Sequence, residues 1–358
     1  VSGDYKNHPV GYFLESLLSQ LSSSSLDIYA YTTTFIEDDL TSRIKSHVTH
    51  WRQLHDKSDG QAAQLIHNDN IHILIDLSGH TDLNRLPIFV SKPAPIQVSW
   101  LGYWASTGLT EIDYILGDPF ITPYDEAHHF SEKIWQLPES YFCFTEPNFP
   151  MKVKSLPALQ TGEITFGCFN KLLKMTDEMV SLRAKILNRI PSSKLFLKDN
   201  QLQYASVRDQ VISRYKNHGI SAERLLLEGP SERSEYLECY NRVDIVLSPY
   251  PYGGLTTNIE ALWMGVPSII KRGDYLLSHL GETIANNVGI PDWIADDEDD
   301  YIKKAIEFSS NLEELVRLRK RLRTQLQNSS LLNPEKFSKH FESAVWSMWS
   351  KWQSLNKN

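Results

Sequence analysis

Positions 251–268 read PYGGLTTNIEALWMGVPS. Gly253 and Gly254 follow an apolar stretch, DIVLSPYP, and Thr256 and Thr257 stand directly before a helix-forming run. Strand, glycine turn and helix start, in that order, make a place for an anion. The first turn of a helix carries N–H groups without intrahelical partners, its dipole favours negative charge, and glycines let a phosphate come close to the backbone. A diphosphate suits such a turn. The same residues also suit an ordinary helix capped by Thr256 or Thr257. Lys174, in FGCFNKLLK, falls shortly after another apolar stretch and offers an ammonium to the same anion. Glu260 lies three residues after Thr257, on one face of the expected helix, where a carboxylate can accept hydrogen bonds from ribose hydroxyls.

Groups that could move a proton lie in the first half. His8 stands in NHPVG before a helical run, and Asp69 and His72 flank the start of IHILIDLSGHT. Imidazole titrates near neutral pH, and carboxylates can orient it. The acids of ADDEDDY, 295–301, resemble a hard-metal site in composition alone and are explained by the start of the following helix. The basic run RLRKRLR, 317–323, alternates with leucines at roughly helical spacing and reads as the wet face of an amphipathic helix.

The elements that must hold these groups alternate between strand and helix in both halves, as in α/β units around a mainly parallel sheet. The first half predicts helices at VGYFLESLLSQL, GQAAQLIHND and LNRLPIFVSK, and strands at LDIYAYTT, IHILIDLSG, PIQVSWLG and IDYILGD. The second predicts strands at ITFGCF, KLFLK, RLLLEG, DIVLS and PSIIK, separated by helices, with helices dominant after Ser278. Between them, Thr145 to Glu163 is rich in proline and polar residues. The expected organisation is an N-terminal domain 1–150, a linker 151–163, a nucleotide-binding domain 164–333 and a C-terminal helix 334–358. Two doubly wound domains would face a cleft at the carboxyl ends of their strands, where ligands of such sheets bind.

With 358 residues, 41% hydrophobic, the chain can bury two cores. Its net charge of −8 argues against a nucleic-acid footprint. Cys143, Cys168 and Cys239 are odd in number and widely spaced, which argues against a disulfide framework or structural zinc and suits a reducing, cytoplasmic setting. No apolar run approaches the ~20 residues of a spanning helix, so no membrane partner is expected. The opening VSGDYKNHPVG lacks both an initiator Met and signal-peptide character, so a fragment with sequence upstream is expected.

Taken together, NHPVGYFLES, HILIDLSGHT, PAPIQVSWLGYWASTG with DYILGD, FGCFNKLLK, DIVLSPYPYGGLTTNIEALWMGVP and SMWSKW resemble the catalytic region of the protein O-GlcNAc transferase and SPINDLY family, glycosyltransferase family 41. The resemblance runs over nearly the whole chain and implies a GT-B fold of two Rossmann-like domains, with the sugar nucleotide held mainly by the second. It implies that Lys174 meets the diphosphate, that Thr256 and Thr257 bind it with the helix N-terminus, and that Glu260 takes the ribose. Tyr236 stands where the family often has a His stacked on the base, and Arg233 at a second basic position near the phosphates. His8, Asp69 and His72 match polar positions around the reaction centre. The family's tetratricopeptide repeats would lie upstream.

Four departures bear on the sugar pocket: Leu255 in place of a polar residue, Lys171 where the animal transferase has Gln, Trp104 where Pro is frequent, and Tyr236 in place of His. The reading that follows is a metal-independent, inverting transferase with a nucleotide-sugar donor, UDP-GlcNAc preferred, and protein Ser or Thr acceptors. GDP-fucose is the alternative donor, because GHT at 79–81 and YPYGG lie nearer the SPINDLY branch. A sugar-nucleotide epimerase and a catalytically silent sugar-nucleotide sensor are the alternatives of other classes.

Overall fold

The computed structural model describes residues 1–103 and 105–356, so Trp104 lies outside the described residues. The chain divides into two compact units, residues 1–146 with 329–358, and residues 147–328.

In the first unit, α1 (Pro9–Leu21) starts where the His8 side chain accepts from the Val10 N–H and Pro9 sits at the first helical position, and it buries Val10, Phe13, Leu14, Leu17, Leu18 and Leu21 on one face. There follow β1 (Tyr29–Thr32), α2 (Asp39–Lys45), β2 (His50–Gln53), α3 (Asp59–Asn68), β3 (Ile73–Asp76), α4 (Leu86–Val90), β4 (Ile96–Ser99), β5 (Tyr114–Gly117) and β6 (Lys133–Gln136). Strands β3, β4, β5 and β6 pair in that order, all parallel, and β1 pairs with β2. Residues 1 and 2 join the two ladders. Val1 N donates to Ile75 O and Leu77 N to Val1 O, while Ser2 N donates to Tyr31 O and Thr33 N to Ser2 O. The C-terminal helix, Pro334–Leu355, belongs to this unit, with Phe337 and Phe341 against the buried Trp100 ring.

The second unit runs α5 (Ala158–Thr161), β7 (Thr165–Cys168), α6 (Asp177–Arg189), β8 (Lys194–Lys198), α7 (Ala205–Lys216), β9 (Leu225–Glu228), α8 (Arg233–Glu238), β10 (Ile245–Leu247), α9 (Thr256–Trp263), β11 (Ser268–Lys271), α10 (Leu276–Val288), β12 (Ile294–Ala295), α11 (Glu298–Ser310) and α12 (Leu312–Gln327). Its six strands are all parallel in the order β12-β11-β10-β7-β8-β9, the doubly wound arrangement in which β7 and β10 flank the point where strand order reverses.

The structure divides the chain differently from the sequence-based boundaries. Residues of the proline-rich stretch are built into the second unit: Lys154 N donates to Asn241 Oδ1 at 2.8 Å and Ala158 N to the buried Asp244 at 3.0 Å. Of the basic run on α12, Arg317, Lys320 and Arg321 are exposed as expected, but Arg319 is buried. It donates to the carbonyls of Lys154 and Val243, while Arg323 lies over the Trp263 ring. Two of the apparent wet-face charges therefore pack inward. The acids at 297–300 start α11, with the Asp297 side chain accepting from Asp300 N.

Candidate functional site

The loops leaving β7 and β10 diverge at the switch point of the second unit, and both carry candidate residues. After β7 come Phe169, Asn170 and a single turn, Leu172–Lys174. After β10 come Ser248, the glycines and α9. The two loops are cross-linked. Lys174 Nζ donates to Gly253 O at 2.8 Å and lies 3.4 Å from the centre of the Tyr252 ring, and Thr257 Oγ1 donates to Asn170 Oδ1 at 3.2 Å. Lys174 is thus held against the glycine turn. Burial, with the Lys171 charge acting in the same direction, lowers its ammonium from 10.5 to about 7.

Neither threonine caps α9. The capping position is Leu255, which has no side chain able to accept, and Thr256 and Thr257 form the first two helical positions. A leucine at that point leaves the helix's leading N–H groups uncapped by its own side chain, which suits them to an external anion. Below the turn, the buried Asn258 donates to Gly254 O at 2.6 Å and to Ser248 Oγ at 3.2 Å, and Tyr301 OH donates to Ser248 O.

Gly254 is required by proximity: a Cβ there would lie 2.2 Å from Thr257 Oγ1 and 3.0 Å from Asn170 Oδ1. At Gly253 the nearest atom would stand at an ordinary 3.6 Å. Neither glycine has a positive φ.

A second cluster joins the remaining candidates. Glu260 is buried on α9, and its Oε1 lies 2.5 Å from Arg233 Nη1 on α8. Burial pushes the Glu260 carboxyl up, opposed by Arg233 and by a hydrogen bond from Tyr236. The Tyr236 ring is partly exposed and packs with Phe169 and Tyr240, and Tyr240 OH donates to Thr257 O at 3.0 Å, which ties the aromatic cluster to the start of α9. Lys171 is exposed at the start of its turn. Asn170, Tyr240, Tyr252 and Asn258 touch these candidate residues and are not singled out by the sequence reading. Asn170 is the most accessible of them to such a reading, a polar residue one position before Lys171 at a strand's carboxyl end.

The proton-handling candidates of the first unit separate. Asp69 and His72 lie at the amino end of β3, whereas His8 follows the carboxyl end of the extended pair Val1–Ser2. Asp69 accepts from Tyr31 OH at 2.7 Å and from two guanidinium nitrogens of Arg52 at 3.2 Å each; although burial opposes it, these partners hold its carboxyl below the usual range. His72 meets the Trp349 ring edge-on at 4.7 Å, and both residues line an apolar cavity of about 610 Å³. Ligands of parallel sheets collect at the other end of the strands. His8 caps α1 and lies 3.5 Å from Asp4 Oδ2.

Among the described residues no three His, Cys, Asp or Glu side chains are grouped to hold a metal ion. No helix of the described residues is long and apolar enough to cross a membrane.

The sequence model of glycosyl transferase family 41 matches residues 1–155 and 149–341. The chain is 32% identical over 357 residues to a tomato (Solanum lycopersicum) protein named probable UDP-N-acetylglucosamine–peptide N-acetylglucosaminyltransferase SPINDLY, covering 98% of this chain and 38% of that protein. It is 29% identical over 362 residues to the Arabidopsis thaliana protein named SEC, covering 98% and 36%. The chain thus spans well under half the length of these curated relatives. A solved O-GlcNAc transferase from Thermobaculum terrenum, a point mutant, superposes with a TM-score of 0.94 at 32% identity over 99% of this chain and 67% of that one. The mixed α/β architecture with parallel sheets is the GT-B fold. On its family match and near-complete similarity to these relatives, the chain belongs to glycosyl transferase family 41.

Proposed function

We propose that the chain is an inverting glycosyltransferase that takes a sugar nucleotide, UDP-GlcNAc by preference, and transfers the sugar to Ser or Thr hydroxyls of proteins. The observation that carries this reading is the uncapped start of α9 beside Lys174 at the switch point of the second unit's sheet. A diphosphate there would meet backbone N–H groups, the Thr256 and Thr257 hydroxyls and an ammonium. The donor and acceptor are those named for the tomato relative, UDP-N-acetylglucosamine and peptide.

In the reaction the acceptor oxygen attacks the anomeric carbon as the bond from that carbon to the β-phosphate oxygen breaks, with inversion, and the hydroxyl proton passes to a base. Negative charge grows on the leaving diphosphate, and fixed donors that face it stabilise the transition state more than the ground state. Lys174 and the α9 N–H groups fill that role without a metal. Arg233, Tyr236 and Glu260 form the nucleoside side, with the Tyr236 ring against the base. Of the first-unit candidates, His8 is the proposed proton carrier, because it alone lies beyond the carboxyl end of its sheet. Asp69 is assigned to bracing Tyr31 and Arg52, and His72 to packing on the C-terminal helix.

The test is incubation with UDP-GlcNAc or GDP-fucose and a Ser/Thr peptide library in EDTA, read by mass spectrometry. A gain of N-acetylhexosamine on peptide supports the reading. A gain of deoxyhexose moves the donor to GDP-fucose, donor conversion without peptide makes the chain an epimerase, and binding without turnover makes it a sensor. Lys174→Ala should reduce kcat/KM by about two orders of magnitude or more, since a lost cation on a leaving diphosphate costs about 3 kcal/mol.

A further inference from the structure

Arg183 is a buried cation without a carboxylate partner. Its side chain, on α6, is 1% exposed, and no ion pair to it exists among the described residues. One guanidinium nitrogen, Nη2, donates to Cys168 Sγ at 2.9 Å and to Leu247 O at 3.1 Å, Nε has no hydrogen-bond partner, and the other groups that face the guanidinium are the neutral hydroxyls of the buried Tyr215 and Tyr301. Burying an ion on these terms is unfavourable for the empty fold, because neutral acceptors replace neither its hydration nor a counter-charge.

The placement gives the charge a use. Cys168 and Leu247 are the last residues of β7 and β10, the two strands that flank the switch point. The next residue after Leu247 is Ser248, which Asn258 and Gly254 N hold under the glycine turn. From Cys168 the line continues through Asn170 Nδ2, 3.9 Å from the sulfur, to Thr257 Oγ1. The guanidinium therefore sits directly behind the loops that would receive the phosphates, in an interior where its field is little screened by water or salt.

We propose that Arg183 is the buried electrostatic counterpart of the nucleotide's diphosphate: a positioning residue that never touches the ligand, whose missing counter-ion is the bound anion. The proposal rests on the reading of this site as a nucleotide-diphosphate site. It predicts that the contribution of Arg183 grows with the charge on the ligand, which a residue that merely braces two strands would not show.

The experiment measures Kd for uridine, UMP and UDP, and for guanosine, GMP and GDP, at fixed ionic strength by calorimetry, together with the Tm of each apo protein. The variants are Arg183→Met, Arg183→Gln, which keeps donors without charge, and Arg183→Lys, which keeps charge. In Arg183→Met and Arg183→Gln the diphosphate should bind at least tenfold more weakly, the monophosphate less affected and the nucleoside changed under twofold. Arg183→Lys should restore most of the loss. The apo Tm should not fall in Arg183→Met, since an uncompensated buried charge has been removed. Should Arg183→Met not fold, Arg183→Gln against Arg183→Lys carries the comparison. Equal weakening for nucleoside and diphosphate, or none for either, overturns the proposal. Failure of the unaltered chain to bind both UDP and GDP would instead sink the nucleotide reading, and this proposal with it.

Discussion

Arg233 and Glu260 form an ion pair of unequal exposure: the carboxylate side chain is 3% exposed and the guanidinium 33%. The sequence offers them as separate ligand contacts, one for phosphate and one for ribose. In the ligand-free chain they neutralise each other. Glu260 has little water to fall back on if its partner is removed, whereas Arg233 has some. Arg233→Met should therefore destabilise the fold by about 1–3 kcal/mol, the cost of leaving a buried charged acceptor unsatisfied, with the lower end favoured by the partly exposed partner. Adding Glu260→Gln to Arg233→Met should recover part of that loss. Denaturant unfolding of the two single variants and the double variant checks the coupling, and strictly additive effects would mean that the pair does not act as a unit.

Lys174 links the site to pH. Its ammonium is lowered to about 7 in the empty site, and a diphosphate would raise it again. Only the charged form suits the ligand. Affinity for UDP should therefore weaken above pH 7, by at most about tenfold per pH unit. Stability has the opposite sign. The unfolded chain holds this proton more tightly than the folded one, so the Lys174 contribution makes the apo fold more stable as pH rises from about 7 towards 10.5. Titration calorimetry between about pH 7 and pH 9 should show net proton uptake on UDP binding, and Lys174→Met should flatten the profile. A flat profile in the unaltered chain would take the lysine out of contact with the phosphates.

Tyr236 has two roles to separate. Its hydroxyl reaches Tyr240 OH at 3.4 Å and Glu260, while its ring keeps some exposure beside Phe169. If the ring stacks on the base, Tyr236→Phe should bind nucleotide nearly as well as the unaltered chain, and Tyr236→Ala should lose about 1–3 kcal/mol of affinity. Affinity and apo Tm are measured together. A sharp fall in Tm with normal binding by the folded fraction would make Tyr236 a packing residue only.

What the sequence discloses follows from signal length. The second unit is legible because its strands are short apolar runs bounded by turns, and its helices α6 and α7 are long enough to show their boundaries. In the first unit the segment holding α2 and β2 leaves no such mark: α2 has seven residues, and β2, HWRQ, is half-buried throughout with no alternating apolar face. Strand β6, KIWQ, escapes a sequence reading for a similar reason. At the site, Lys174 and the glycine turn are visible because strand ends and glycines leave local marks. The pairing of Arg233 with Glu260, the bonding of Asn170 to Thr257 and the separation of His8 from Asp69 and His72 join residues distant in sequence or opposite ends of a strand, and local spacing does not encode them. The cap of α9 misleads for a different reason. Threonine is a good cap, but two of them in a row do not say where the helix begins, and here the preceding Leu255, its own backbone already in the right-handed helical region, takes the capping position.

The two glycines make unequal demands, and that asymmetry is a sharp test of the anion loop. Both have backbone conformations open to other residues, so steric contact alone distinguishes them. A methyl at Gly254 would stand 2.2 Å from Thr257 Oγ1, far inside contact distance, and the threonine hydroxyl could relieve it only by breaking its bond to Asn170. That movement shifts the start of α9, where the diphosphate is proposed to sit. A methyl at Gly253 meets Leu277 O at 3.6 Å and Leu280 Cβ at 3.7 Å, which is ordinary packing. Gly254→Ala should therefore weaken UDP or GDP binding by about 2 kcal/mol or more, the scale of misplaced charge-assisted hydrogen bonds, and lower the apo melting temperature as well, since relieving the overlap costs about 1–3 kcal/mol. Gly253→Ala should change affinity by less than about 0.5 kcal/mol, unless the ligand itself fills the space beside it, in which case affinity falls while apo stability does not. Thermal shift with and without nucleotide separates these outcomes. Equal and large losses in both variants would place the ligand against both glycines, and normal binding by Gly254→Ala would remove the start of α9 from the site.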